Sequence, residues 1–273
     1  MVTSVDVGIS GHVAHVRLDR PDKHNALNGE LMGGLIATAA ALGADSSVRA
    51  VVLSGNGRSF CSGVDTSNFA SMMTGDLTAD SSSVQEAYSD LSPAGANRAQ
   101  QVAWCWRELE VPVIAAVHGI ALGGGLNLAL GADMRIAAPD ASMGFVEITW
   151  GLIPDMSASQ SLRRLVGDDR AKQLILTGER FTGAQAYEWG LATELAADPV
   201  GRALEIARAI AGFSPDAVRA ALALLNHGVD ADTRAGLADE TTRSSALIGT
   251  PNQIEAVRAR LSGEPADYED GTS

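Results

Sequence analysis

Between Val111 and Asp155 the chain sets a short apolar run, three consecutive glycines and, further on, Glu147 and Asp155, and this order limits what it can build. Val113-Ile114-Ala115-Ala116-Val117 follows a proline and reads as a buried strand. Leu126 to Leu130 starts a helix that Gly131 closes, and Gly123-Gly124-Gly125 fills the junction. Glycines there let the backbone approach a ligand closely, and the N–H groups of a helix start favour negative charge. Such amides suit an oxygen that becomes an oxyanion during a reaction. Three glycines alone fit a tight turn equally well, so the neighbouring residues must decide.

The rest of the chain supplies βα units around this stretch. Ser4 to Ile9 and His12 to Leu18 read as strands joined at Ser10-Gly11. Asn28 is an N-cap for a helix through about Leu42, with Leu31, Leu35 and Ile36 on one face. Val48 to Leu53 reads as a strand, Asn97 to Glu110 as a helix with Trp104 and Trp106 as core residues, and Met134 to Ala137 and Met143 to Phe145 as further strands. Helices are expected over 157–166, with Ser157 as N-cap, over 169–176 and over 183–189. Beyond Asp198 the pattern is wholly helical: Pro199–Gly212, Ser214–Asn226, Asp232–Leu247 and Pro251–Leu261. The expected organisation is α/β, with a catalytic core over 1–197, a helical region over 198–262 and a disordered acidic tail over 263–273. Residues 66–96, rich in Ser, Thr, Asp and Gly, read as a mobile loop or lid, and Met72 and Met73 could cover an acyl chain.

Several chemistries are excluded. There is no Gly-x-Ser-x-Gly elbow, no Gly-Lys-Ser/Thr phosphate loop and no dinucleotide fingerprint. His12 and His15, read as one strand, face opposite ways and hold no metal together; His24, His118 and His227 are isolated. Two cysteines give no disulfide framework and suit a reducing cytoplasm. A net charge of −13 disfavours nucleic acid as a partner. No apolar run reaches the roughly 18 residues of a membrane span, and no signal peptide is read at the start. What remains are two glycine turns after strands, Gly63-Val64-Asp65 and Gly123-Gly124-Gly125, with Glu147 and Asp155 downstream. Two N–H donors from separate turns would form an oxyanion hole, and a carboxylate beside it a base for moving protons next to a carbonyl.

Four segments in order resemble the crotonase family, the enoyl-CoA hydratase/isomerase superfamily. They are Asp19 to Leu27, Ser59 to Asp65, Ala116 to Ala129, and Phe145 to Ile148 with Gly151 to Pro154. Leu176 to Phe181 and Ala186 to Leu191 also fit. The resemblance implies a spiral of ββα units, a C-terminal helical region used in trimerisation, homotrimers or homohexamers, and acyl-CoA thioester substrates with no separate cofactor. By position, the thioester oxygen would accept from the backbone N–H groups of Val64 and Gly124. Arg20, Lys23, Ala26, Gly63 and Asp65 would line the CoA path, with Lys23 attracting phosphate.

The departures matter as much. Family hydratases use two glutamates, and the first falls here on Asn127, whose amide accepts no proton at neutral pH. The second is Glu147, intact. Asp155 matches an acidic position of dienoyl-CoA isomerases, although those also carry an aspartate where Asn127 stands. Ile148, Trp150, Leu152, Ile153 and Met156 are expected to surround the carboxylates with an apolar pocket that splits their pKa values. The favoured reading is double-bond isomerisation of a 3-enoyl- or dienoyl-CoA with Glu147 as proton carrier. The alternatives are a 2-enoyl-CoA hydratase in which Asn127 orients water, and a non-catalytic acyl-CoA-binding protein.

Overall fold

The computed structural model describes residues 4–65, 92–228 and 233–270. Most of the expected 66–96 lid, including Met72 and Met73, lies outside them. Strands β1 (Val5–Ser10) and β2 (Val13–Leu18) form an antiparallel hairpin in which Val7 faces Val16. The turn sits at Gly11-His12, one residue later than Ser10-Gly11, with φ of 53° and 68°. A two-residue hairpin loop of type I′ needs left-handed backbone at both positions. His12 therefore belongs to the turn and not to a strand, and its Nδ1 meets the Ser47 carbonyl at 2.8 Å.

Strands β3 (Ala50–Gly55), β4 (Val113–Val117), β5 (Ile120–Leu122), β6 (Met134–Ala137), β7 (Ser142–Gly144), β8 (Phe181–Thr182) and β9 (Glu194–Leu195) complete two sheets. The larger has the order β1-β2-β3-β4-β6-β9 and is parallel from β2 onward; the smaller has the order β5-β7-β8. The expected strand over 48–53 begins two residues later, because Val48 is held in a turn by a bond from its N–H to the Asp45 carbonyl. β5, β8 and β9 have no counterpart in the sequence reading: two or three residues are too few to show an alternation.

Both faces of the larger sheet are covered, which is why β3 and β4 read as continuous apolar runs. Leu18, Val51, Leu53, Ala115 and Val117 join a core with Leu31, Leu35 and Leu42 of helix α1 (Gly29–Gly43), Val102 and Trp106 of α2 (Arg98–Arg107), and Leu126 and Leu130 of α3 (Gly124–Gly131). The alternate residues Val13, Val52, Ile114 and Ile136 meet Ala203, Ala207 and Ala211 of another helix, Pro199–Ala211. Small residues four apart let that helix lie close on the sheet. So the first helix assigned to the region beyond 198 covers a face of the core sheet.

Helix α4 (Ala158–Leu162) is shorter than the expected 157–166, and Ser157 makes no capping bond. Its φ of 65° puts a non-glycine residue in left-handed backbone, unlike the extended backbone from which an N-cap side chain bonds to the helix start. Then come α5 (Asp168–Thr177), α6 (Gly183–Glu188), the sheet-covering helix as α7, α8 (Pro215–Gly228), α9 (Thr233–Leu247) and α10 (Pro251–Ser262).

Residues 264–270, expected to be disordered, are tied down by side chains. Arg49 Nη2 donates to the Tyr268 carbonyl at 2.9 Å and to Asp270 Oδ1 at 3.1 Å. Asn252 holds Glu269 from both sides, accepting its N–H at 2.9 Å and donating to its carbonyl at 3.1 Å. No helix among the described residues is long and apolar enough to cross a membrane.

Candidate active site

Two turns meet at the N-terminus of α3. Cys61 bridges to Ala121 and Leu27 to Val64. The Leu27 N–H donates to Gly63 O at 2.8 Å, and the Asp65 N–H to Leu27 O at 2.9 Å. This parallel pairing leaves the Val64 N–H with no backbone acceptor among the described residues, and the same holds for Gly124, the first residue of α3. Gly63 has φ of 93°, and a Cβ there would lie 2.7 Å from Leu122 O. That same point is 3.5 Å from Gly124 N, so the turns stand side by side. At Gly125 a Cβ would fall 2.2 Å from the Cys61 carbonyl oxygen. The helix start is thus close-packed on the backbone of the segment that leads from Cys61 to Val64.

The loop from Arg20 to Ala26 packs against this turn through Asn25, a buried residue the sequence reading did not single out. Its amide donates to the carbonyls of Asn56, Ser59 and Phe60 at 2.8–3.1 Å, and its Oδ1 accepts the Arg20 N–H at 2.9 Å. Arg20 turns inward, donating to the Ala26 carbonyl and pairing with Asp65 Oδ2 at 3.1 Å. Lys23 is exposed, so of the two cations proposed for the CoA path it alone faces solvent. Cys61 is buried, which pushes its thiol up to about 12 and removes it as a nucleophile.

Asn127 and Glu147 come together. Asn127, 1% exposed on α3, donates through Nδ2 to Glu147 Oε1 at 2.8 Å. An ionised carboxylate only accepts, which fixes the amide orientation and leaves Asn127 Oδ1 as a second acceptor. Both Asn127 Oδ1 and Glu147 Oε2 are buried without a hydrogen-bond partner. Burial raises the Glu147 carboxyl above its ordinary value; its own backbone N–H and the Asn127 amide oppose this, and the charge of Asp155 reinforces it.

Asp155 borders a cleft of about 600 Å³ whose walls include Gln100, Trp104, Ser157, Arg163 and Arg164. The expected apolar surround is only partly present. Met156 is buried, but Ile148, Trp150, Leu152 and Ile153 are exposed on this chain. The 3-10 turn at Glu147–Trp150 and the bend that follows leave them uncovered, although Ile153 still lines the cleft. The two tryptophans separate as well: Trp106 is fully buried, whereas Trp104 lines the cleft. No cluster of three or more metal-ligating side chains occurs among the described residues.

A covered parallel sheet, two glycine turns whose adjoining amides have no backbone acceptor among the described residues, and a half-buried carboxylate beside them define a crotonase-type α/β enzyme. The chain belongs to the enoyl-CoA hydratase/isomerase family, whose model matches residues 8–260. It is 35% identical to a putative enoyl-CoA hydratase/isomerase of Bacillus subtilis, YngF, over 91% of each chain. It is 33% identical to the 2,3-dehydroadipyl-CoA hydratase of Escherichia coli over 92% of each. A crystal structure of an enoyl-CoA hydratase from Bacillus anthracis superposes with a TM-score of 0.88 at 32% identity, covering 98% of this chain and 100% of that one.

Proposed function

We propose that the chain shifts the double bond of an unsaturated acyl-CoA, with Glu147 as the sole proton carrier. The observation that carries this is the Asn127–Glu147 pair. Its amide occupies Oε1 and cannot exchange a proton, while Oε2 is buried and unpaired. One carboxylate oxygen then serves one proton. Oε2 removes the proton at C2 of a 3-enoyl thioester, and the electron pair moves onto the thioester oxygen, held by the N–H groups of Val64 and Gly124. The same proton returns at C4, leaving the double bond between C2 and C3. The CoA portion runs past Lys23, Ala26 and Gly63, over the loop braced by Arg20 and Asp65. Exposed Leu225, Leu237, Ile254 and Leu261 on the C-terminal helices support assembly into a trimer or paired trimers.

A second reading, hydration of a 2-enoyl-CoA, is favoured by the two unpaired acceptors. One water could donate a hydrogen to Asn127 Oδ1 and the other to Glu147 Oε2. Incubation with matched 2-enoyl- and 3-enoyl-CoA esters, with products weighed, separates the two. Unchanged mass and a moved double bond supports isomerisation. A gain of one water from the 2-enoyl ester, with no shift of the 3-enoyl ester, overturns it.

The pH profile carries a further expectation. Glu147 must be ionised to act, and its raised pKa sets the acid limb of kcat/KM above the ordinary carboxylate range. Asp155→Asn removes a like charge, so the Glu147 pKa falls and the acid limb moves to lower pH. Profiles of the two proteins check it; a limb that stays put or moves upward rejects the coupling.

A further inference from the structure

One flexible apolar side chain packs against the glycine turn that opens α3. A Cβ added at Gly124 would lie 2.9 Å from Met156 Sδ, 3.7 Å from Met156 Cε and 3.1 Å from Leu27 Cδ1. At the adjoining Gly123 such a Cβ would lie 3.5 Å from the Glu147 carboxyl carbon. The thioether and the carboxylate thus stand over neighbouring residues of one turn. Leu27 is anchored there by its backbone, which bonds to Gly63 and Asp65. Met156 is 3% exposed and unbranched, and three rotatable bonds let it change shape. Of the two side chains on Gly124, it is the one that can yield.

Behind Met156 there is open space. Its neighbours in the chain, Asp155 and Ser157, both border the cleft of about 600 Å³, whereas Met156 does not. Its side chain packs inward on Gly124 instead, so this short stretch stands between the cleft and the turn. The cleft carries apolar surface in Ala94, Ala96, Trp104, Ile153 and Pro154. Ser157 holds left-handed backbone at φ of 65° without being glycine, a strain that persists only where the surrounding structure dictates it.

We propose that Met156 sets the length of acyl group the enzyme accepts, by filling the way from the reacting carbons to the cleft. The inference deepens the reading above and rests on its placement of the thioester at Val64 and Gly124. A short acyl group ends against the thioether. A longer one must displace a buried side chain from packed surroundings, and loses there what its extra methylenes would gain. Shortening Met156 joins the turn to the cleft, where Trp104 and Ile153 offer an alkyl chain apolar cover.

The test is calorimetry of saturated, unreactive butanoyl-CoA and octanoyl-CoA with the intact protein. Each freely buried methylene would favour the longer ester by roughly fourfold, and the four together by about two hundredfold. In the unaltered protein the ratio of affinities is expected to stay below about tenfold, as for a blocked path. In Met156→Ala the ratio should rise by about tenfold or more, chiefly through tighter octanoyl-CoA binding. Met156→Leu nearly keeps the volume and should leave the ratio where it was. Circular dichroism confirms that each variant is folded; if alanine is not tolerated, Met156→Val should move the ratio the same way by less. A larger ratio in the unaltered protein overturns the proposal. So does a ratio that stays put in the truncated variant, or one that rises as much in Met156→Leu. None of these readouts needs turnover. A length limit without any double-bond shift would remove the proposed reaction and leave this inference standing, and a double-bond shift without the limit would do the reverse.

Discussion

Glu147→Gln is expected to lower turnover by about 10³-fold or more, at the upper part of the range for removing a positioned general base. Acyl-CoA affinity should stay within a few fold. Glutamine keeps the shape of the side chain and can still meet the Asn127 amide, but it takes up no proton. The same variant should be more heat-stable than the unaltered protein at neutral pH. The Glu147 carboxyl has a raised pKa in the folded chain, so the native state binds its proton more tightly than the unfolded state does. Stability therefore falls as pH rises from the unfolded pKa to the folded one, and stays reduced above it. A neutral amide removes that deficit. Activity and melting temperature are thus expected to move in opposite directions, a trade seen where catalysis keeps a poorly satisfied group buried. Substantial turnover in Glu147→Gln would reject the base assignment, and a lower melting temperature would reject the electrostatic argument.

Gly125→Ala should act through geometry. The added Cβ would lie 2.2 Å from the Cys61 carbonyl oxygen and 2.8 Å from its carbon, so backbone must move. Forcing atoms into a packed interior costs about 1–3 kcal/mol and sometimes more. Gly131→Ala offers a control at the far end of the same helix, where a Cβ would fall 2.1 Å from the Ala103 carbonyl oxygen. Both variants should lose stability. Gly125→Ala is expected to lose far more activity, by about 10²–10³-fold at a temperature where both are folded, because it parts the amides of Val64 and Gly124. Kinetics at matched folded fraction provide the check. Equal activity losses in the two would show that the helix start has no special tie to catalysis.

Much of this architecture was legible in the chain before any coordinates. The apolar runs of β3 and β4, the cap at Asn28 and the glycine junction before α3 are local signals, and the structure places those elements within a residue or two. Glu147, Asn127 and Asp155 could be named from the ordered motifs, and the structure brings the first two into contact and the third within electrostatic reach. What was not legible depended on distant partners. Asn25 looks like one more polar residue in a loop until three carbonyls from 56–60 converge on its amide. Ile148, Trp150, Leu152 and Ile153 all look like pocket walls by hydrophobicity, but after the local turn only Ile153 of the four borders the cleft. Arg163 and Arg164 sit in what reads as a helix surface, and only the fold sets them against Trp104 and Gln100. The end of the chain misled for the same reason: small acidic residues suggest disorder, and the order comes from Arg49 and Asn252 elsewhere.

That last contact has a bearing on how the chain is made. Arg49, at the threshold of β3, is 7% exposed and is separated by 219 residues from Tyr268, whose carbonyl it binds. A ribosome delivers Arg49 219 residues before Tyr268. The sheet around β3 can assemble from sequence already emerged, yet its buried cation waits for residues 268–270 before finding these acceptors. A product cut short in α10 would fold most of its core and still carry that unmet charge. Cellular quality control, which reads partial opening rather than sequence, would have a physical basis for telling such a chain from one that includes residues 268–270.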